Sequence, residues 1–287
     1  MQQFQPTGFR VLPPVVKNLL IINALLFLAT ISLNSSLGFD LGDWLSLKYF
    51  GASEFKPFQF ITYMFMHGSI SHLFFNMFAL WMFGSVIENY WGTKKFLIFY
   101  FFTGVGAAIV HYTVYYFQLS PTLSILDNFL NNPTLENLNS IATNHQFQVN
   151  DESGSIWTQF IDFQKYYNQI QLNNHSLISI QPCIDFIQNY REYYLNLPSV
   201  VGASGAVFGL LLAFGMLFPN SLIYIYFLFP LKAKWLVIIY GGLELYSGVT
   251  GSSDGIAHFA HLGGMIFGII LILIWRKTDK NSYYRHL

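Results

Sequence analysis

Long apolar runs alternate with shorter polar stretches along this chain. Six runs approach the roughly 20 residues needed to cross a bilayer. They lie at about 16–34, 71–90, 95–117, 199–218, 233–250 and 256–275, and each predicts a membrane helix. A further apolar stretch, "SLIYIYFLFP" (221–230), is short and ends at Pro230, so it reads as a connecting or interfacial segment. Between the third and fourth runs the pattern changes. Residues 118–198 are rich in Asn and Gln, and "IWTQFIDFQKYYNQI" (156–170) and "CIDFIQNYREYYLNL" (183–197) set aromatic residues at helical spacing. This predicts a solvated, partly helical insertion whose amphipathic parts rest on the membrane surface. The 35–70 connection carries Trp44 and many Phe residues and is expected to dip into the membrane interface. The expected fold is an all-α polytopic membrane protein. It is one domain over 1–287, a six-helix bundle with a long insertion at 118–198 between helices three and four.

Composition agrees: 53% of residues are hydrophobic and only 10% charged, against about a quarter charged in soluble domains. A formal net charge of zero argues against a nucleic-acid partner. The single cysteine, Cys183, excludes an intramolecular disulfide and a Cys-based metal cluster. The opening "MQQFQPTGFRVLPP" has no signal-peptide pattern, so the first run is expected to be retained as a helix. Charge also orients the bundle. With the N-terminus inside, the inner segments hold Arg10, Lys17, Lys94, Lys95, Lys232, Lys234, Arg276, Lys277, Lys280 and Arg285, and the outer ones only Lys48, Lys56, Lys165 and Arg191. Basic residues favour the cytoplasmic side, so both termini are expected inside and 118–198 outside. No organelle-targeting signal is evident, which makes a bacterial inner membrane the expected location.

Polar side chains at membrane depth are costly and mark function by default. Three concentrations stand out. His72 and Asn76 in "HGSISHLFFNMFALW" are four apart and share a helix face. Ser204 lies in "GASGAVFG", and His258 and His261 lie in "HFAHLGG". Each cluster falls near the start of an even-numbered span, which places all three in the outer leaflet at similar depth. At 1.5 Å rise per residue, Ser204 is expected roughly 8–10 Å below the start of its helix. Gly205-x-x-x-Gly209 on span four and Gly264-x-x-x-Gly268 on span six are small-xxx-small ridges, which allow close helix crossings. A crossing there would bring the His261 imidazole to the Ser204 hydroxyl.

A serine becomes a nucleophile when a histidine takes its proton. The oxyanion that follows needs donors, and one donor is worth roughly 3–4 kcal/mol. His72, Asn76 and the Ser204 backbone amide are the candidates, the amide assisted by the helix dipole. No third member joins the pair: Asp254 is placed as a cap of helix six, and the reading is a Ser–His dyad. Metal chemistry is disfavoured, since there is no H-E-x-x-H and no carboxylate beside His258 and His261 in the sequence. No cofactor is expected. The spans contain no Asp, which excludes a two-aspartate intramembrane protease.

These motifs resemble those of the rhomboid family of intramembrane serine proteases. "GASGAVFG" is similar to the family's G-x-S-G motif, with Ser204 as nucleophile and Gly202 and Gly205 flanking it. "AHLGGMIFG" is similar to the last-helix motif, with His261 as base beside Gly264 and Gly268. "HGSISHLFFN" resembles the second-helix H-x-x-x-N motif, which implies an oxyanion role for His72 and Asn76 and a structural one for His67. "GSVIENYWG", including Glu88, resembles the segment linking helices two and three. The resemblance spans roughly 16–117 and 199–275. It departs from the family at Phe58-Gln59, where Trp-Arg is frequent, and at Phe208, where a tyrosine often stacks on the histidine. It implies an endopeptidase acting through an acyl-enzyme on single-span membrane proteins in or near their transmembrane segments. Deacylation consumes water, which a site opening outward at the outer leaflet would receive. Two other readings remain. One is a catalytically silent rhomboid-like protein that binds membrane clients. The other is a transporter, which would predict charged residues along a path to both faces.

Overall fold

The computed structural model of the protein describes residues 8–172, 179–225, 228–251 and 256–284. Asp254, expected to cap the sixth helix, lies outside the described residues. The chain forms two compact units, one of Met1–Leu47, Lys56–Tyr112 and Val200–Leu287 and the other of Lys48–Phe55 and Thr113–Ser199.

The apolar runs become helices. The first is α1 (Pro14–Leu37). The connection after it holds the short α2 (Leu41–Leu45), β1 (Leu47–Lys48) and α3 (Gln59–Thr62). The second run starts as α4 (Ile70–Ala79), whose N-terminus is capped by the Ser69 hydroxyl accepting from His72 N–H. It passes through a π-helical turn at Leu80–Gly84 into α5 (Ser85–Asn131). Gly92, at φ 78° and ψ 164°, breaks α5 between the second and third runs, a conformation open to glycine at little cost. The third helix was expected to end at 117 but continues to Asn131.

After the insertion and the two-residue β2 (Ser199–Val200), the fourth run is α9 (Ser204–Leu217). Within the stretch 221–230 lie β3 (Leu222–Ile225) and the start of β4 (Phe229–Lys232), which pair antiparallel in register Leu222↔Lys232. The fifth and sixth runs are α10 (Ala233–Thr250) and α11 (His258–Tyr284).

Among the described residues, Pro14–Leu37, Ile70–Asn131 and His258–Thr278 are long and apolar enough to cross a membrane, and Ser204–Leu217 is a shorter apolar helix. Large apolar side chains are exposed on α1 (Ile22, Leu25 and Leu28), on α10 (Ile238, Leu243 and Val249) and on α11 (Ile270 and Leu273). Continuous apolar surface on this scale needs lipid rather than water. The protein is a polytopic helical membrane protein.

One polar anchor fixes the N-terminal end of the first helix. The first amides of any helix lack internal partners, and in α1 the buried Glu88 carboxylate accepts from Val15 N–H at 3.0 Å and Val16 N–H at 2.9 Å. Next to it, Asn89 exchanges two hydrogen bonds with the backbone of Arg10. The Glu88 bonds are charge-assisted and are the stronger of the two sets. Glu88→Ala is expected to cost about 3 kcal/mol, with Glu88→Gln intermediate, measured as the shift of thermal unfolding in detergent.

The second unit has its own core. Of its helices α6 (Leu135–Asn144), α7 (Ser155–Leu172) and α8 (Gln181–Asn196), α7 and α8 turn their aromatic stripes onto one another. Phe163 and Phe186 stack at 4.6 Å, and Phe147 packs edge-on to Tyr190 at 4.8 Å. Leu126, Phe129, Leu138, Ile141, Cys183 and Ile187 fill the remainder. Burial pushes the Tyr190 hydroxyl up to about 12, so it stays protonated while accepting from Gln148 N–H at 3.0 Å. The stripes that suggested an amphipathic surface layer are thus largely spent on the core of this second unit, which also takes in Tyr49 and Ala52.

Candidate active site

The site begins with a bend. Gly202 adopts φ 120°, a region that L side chains rarely enter. Its amide donates to the Tyr63 carbonyl at 2.9 Å, and the Tyr63 hydroxyl donates to the Gly104 carbonyl at 2.8 Å. This bend delivers the chain to Ser204 as the first residue of α9. Ser204 therefore stands at the helix N-terminus, not well below it as expected from a helix starting at 199. The residues before it are small and apolar, so hydropathy counted them into the span. At this position no preceding turn offers a carbonyl to the hydroxyl, and the amide points out of the helix end.

His261 lies one turn into α11. Its Nε2 is 2.8 Å from Ser204 Oγ. Phe208, one turn beyond Ser204 on α9, stacks on the imidazole at 4.1 Å with the planes 6° apart. His72 approaches from α4. A Cβ placed on Gly202 would lie 2.8 Å from His72 Nε2 and 3.7 Å from Ser204 Oγ, so both groups border the same small space. Asn76 is buried, and its amide donates to the His72 carbonyl at 2.9 Å, leaving a second N–H for another acceptor. His67 packs edge-on to His72 at 5.1 Å.

The glycines act through a different arrangement from the expected facing ridges. A Cβ on Gly264 would collide with the Gly205 carbonyl oxygen, and one on Gly268 would lie 3.2 Å from Leu212. Those two glycines do admit α9. Gly205 and Gly209, however, face mainly α5: a Cβ on them would lie 2.5 Å from Ala107 and 2.8 Å from Thr103. Helix α9 is clasped on two sides, and each glycine pair serves a different neighbour.

The family model of the rhomboid domain matches residues 54–120 and 178–278, more than half of the chain and every residue of this site. The chain belongs to the rhomboid family. Rhomboid-like protein 11, chloroplastic, of Arabidopsis thaliana is 40% identical over 57 residues, 20% of this chain and 20% of the relative. The matched stretch thus spans a fifth of that relative's length. Membership places the chain in a protease superfamily.

This rhomboid chain carries one group that the sequence reading left out. Glu244, on α10, places Oε2 2.6 Å from His258 Nδ1 and 2.9 Å from His261 Nδ1. A carboxylate does lie beside the two histidines, contrary to expectation. No spacing motif could reveal it, because it comes from a different helix. The available signal was an acidic residue inside a membrane run. The donor atoms of Glu244, His258 and His261 all lie within 4.8 Å of one another and could ligate a metal ion. Ligands around tetrahedral zinc stand about 3.3 Å apart, given bonds of ~2.0 Å. The 2.6 and 2.9 Å separations instead suit direct contact between the groups.

Proposed function

We propose that this rhomboid is an active intramembrane serine endopeptidase, with Ser204 as nucleophile and His261 as general base and acid. The observation that carries the reading is the 2.8 Å contact between His261 Nε2 and Ser204 Oγ at a helix N-terminus. His261 takes the Oγ proton as Oγ attacks the peptide carbonyl, then passes it to the departing amine. The resulting acyl-enzyme is hydrolysed by water activated at the same imidazole. The oxyanion is met by the Ser204 amide and by the side chains of His72 and Asn76. Phe208 keeps the imidazole in one plane while its proton comes and goes.

The substrate class is single-span membrane proteins, cut in or near the span where helix-breaking residues let the backbone unwind. Both termini lie on the cytoplasmic side of a bacterial inner membrane. The site opens to the outer face, and residues 118–198 are extracytoplasmic.

The test is cleavage of a single-span model substrate in liposomes by wild type, Ser204→Ala and His261→Ala, alongside fluorophosphonate labelling. Cleavage by wild type and its loss in both folded variants supports the dyad. Labelling that depends on Ser204 without cleavage means a competent site and the wrong substrate. Absence of both, where a known active relative is labelled, makes the client-binding reading the better one.

A further inference from the structure

His261 can accept the serine proton only if its Nε2 is unprotonated, which leaves the ring proton on Nδ1. That proton points away from Ser204, into a buried setting where an unmatched N–H is costly. The group waiting there is the Glu244 carboxylate, 2.9 Å from Nδ1. The contact is close without being aligned as a hydrogen bond, since Nδ1 is among the buried atoms that lack one. Alignment matters less once the imidazole is protonated, because attraction between a carboxylate and an imidazolium depends on separation and grows where water is excluded. Catalytic contacts also tighten when substrate binds. Glu244 is itself held: the same Oε2 lies 2.6 Å from His258 Nδ1, and its side chain is 13% exposed. A carboxylate kept inside a membrane helix at this cost needs a use.

We propose that Glu244 is a positioning residue of the reaction. Shared between His258 and His261, it fixes the orientation of the His261 imidazole and stabilises the protonated form, extending the Ser204–His261 pair by two further groups. His258 acts one step further out, by holding the carboxylate. The inference rests on the protease reading above.

The test compares wild type, Glu244→Gln, Glu244→Asp, His258→Ala and the Glu244→Gln/His258→Ala double variant, as full-length protein in liposomes with a single-span model substrate. Glu244→Gln keeps the shape and removes the charge. Its kcat is expected to fall about 100-fold, less than the ~10⁴-fold for an aligned triad carboxylate because this contact is not an aligned hydrogen bond, while KM changes less than about 3-fold. Glu244→Asp should recover part of the loss. His258→Ala should lower kcat about 10-fold, and the double variant should be no worse than Glu244→Gln, since both substitutions cut one chain of contacts. If Glu244→Gln fails to fold, Glu244→Asp and His258→Ala still report the kcat-against-KM split.

A Glu244→Gln variant with wild-type kcat overturns the proposal. So does a loss that appears only in KM or only as a lowered unfolding temperature, or activity removed by EDTA and restored by zinc. Those results leave the protease reading standing. A wild type that neither cleaves nor is labelled on Ser204 overturns both.

Discussion

Gly264→Ala should leave the protein without detectable cleavage, although Gly264 touches no reacting atom. A Cβ there collides with the Gly205 carbonyl, and both parties are backbone, so no side chain can swing aside. Helices α9 and α11 must move apart. Overpacking of this kind costs about 1–3 kcal/mol or more, and the displacement falls where it does most harm. Ser204 precedes Gly205 directly, and His261 stands one turn before Gly264. A shift of about 1 Å between reacting groups can cost about 100-fold, and here it comes on top of lost packing. The measurements are substrate cleavage, fluorophosphonate labelling of Ser204, and thermal unfolding in detergent. Wild-type labelling with wild-type stability would refute the close crossing.

Gly202→Ala should separate activity from stability. The alanine meets a φ of 120°, a strain of about 1–3 kcal/mol, and its Cβ lies 2.8 Å from His72 Nε2. His72, the proposed oxyanion donor, has to withdraw while Ser204 and His261 remain in contact. Loss of one oxyanion donor lowers kcat about 100- to 1,000-fold, so the variant should fold, retain slow fluorophosphonate labelling and cleave poorly. Adding His72→Ala should cost little more, since the donor is already displaced. Full additivity of the two would place His72 outside the oxyanion function.

Hydropathy located the six helices because lipid demands long apolar runs, and it drew attention to Ser204, His261, His72 and Asn76 as polar groups set in those runs, of which Ser204 and His261 come into contact. Boundaries were less legible. Residues 199–203 are as apolar as a helix interior, yet Gly202 turns the chain there, so α9 starts at Ser204. The third helix runs to Asn131 through a stretch whose polarity reads as its end. The glycine ridges were visible, but not which neighbour each would face, because that depends on α9 being clasped by both α5 and α11. Glu244 is a purely tertiary partner, and its helix carries no motif pointing at the histidines. In the insertion, an aromatic stripe on α7 or α8 looks the same whether it meets lipid or another stripe.

The length of α9 has a consequence for how the protein meets its bilayer. Its 14 residues rise about 21 Å, short of a hydrocarbon core of about 30 Å. Left against lipid, such a helix would impose hydrophobic mismatch. Yet Gly205, Ala206, Val207 and Gly209 through Ala213 are buried against protein, so acyl chains do not line it. The 24 residues of α1, about 36 Å long, present the apolar edge that lipids match, and tilt can absorb a thicker or thinner bilayer. Membrane thickness and the depth of the serine are thereby set by different helices. The Ser204 end of α9 can sit below the headgroups without a thinned annulus of lipid around the whole protein.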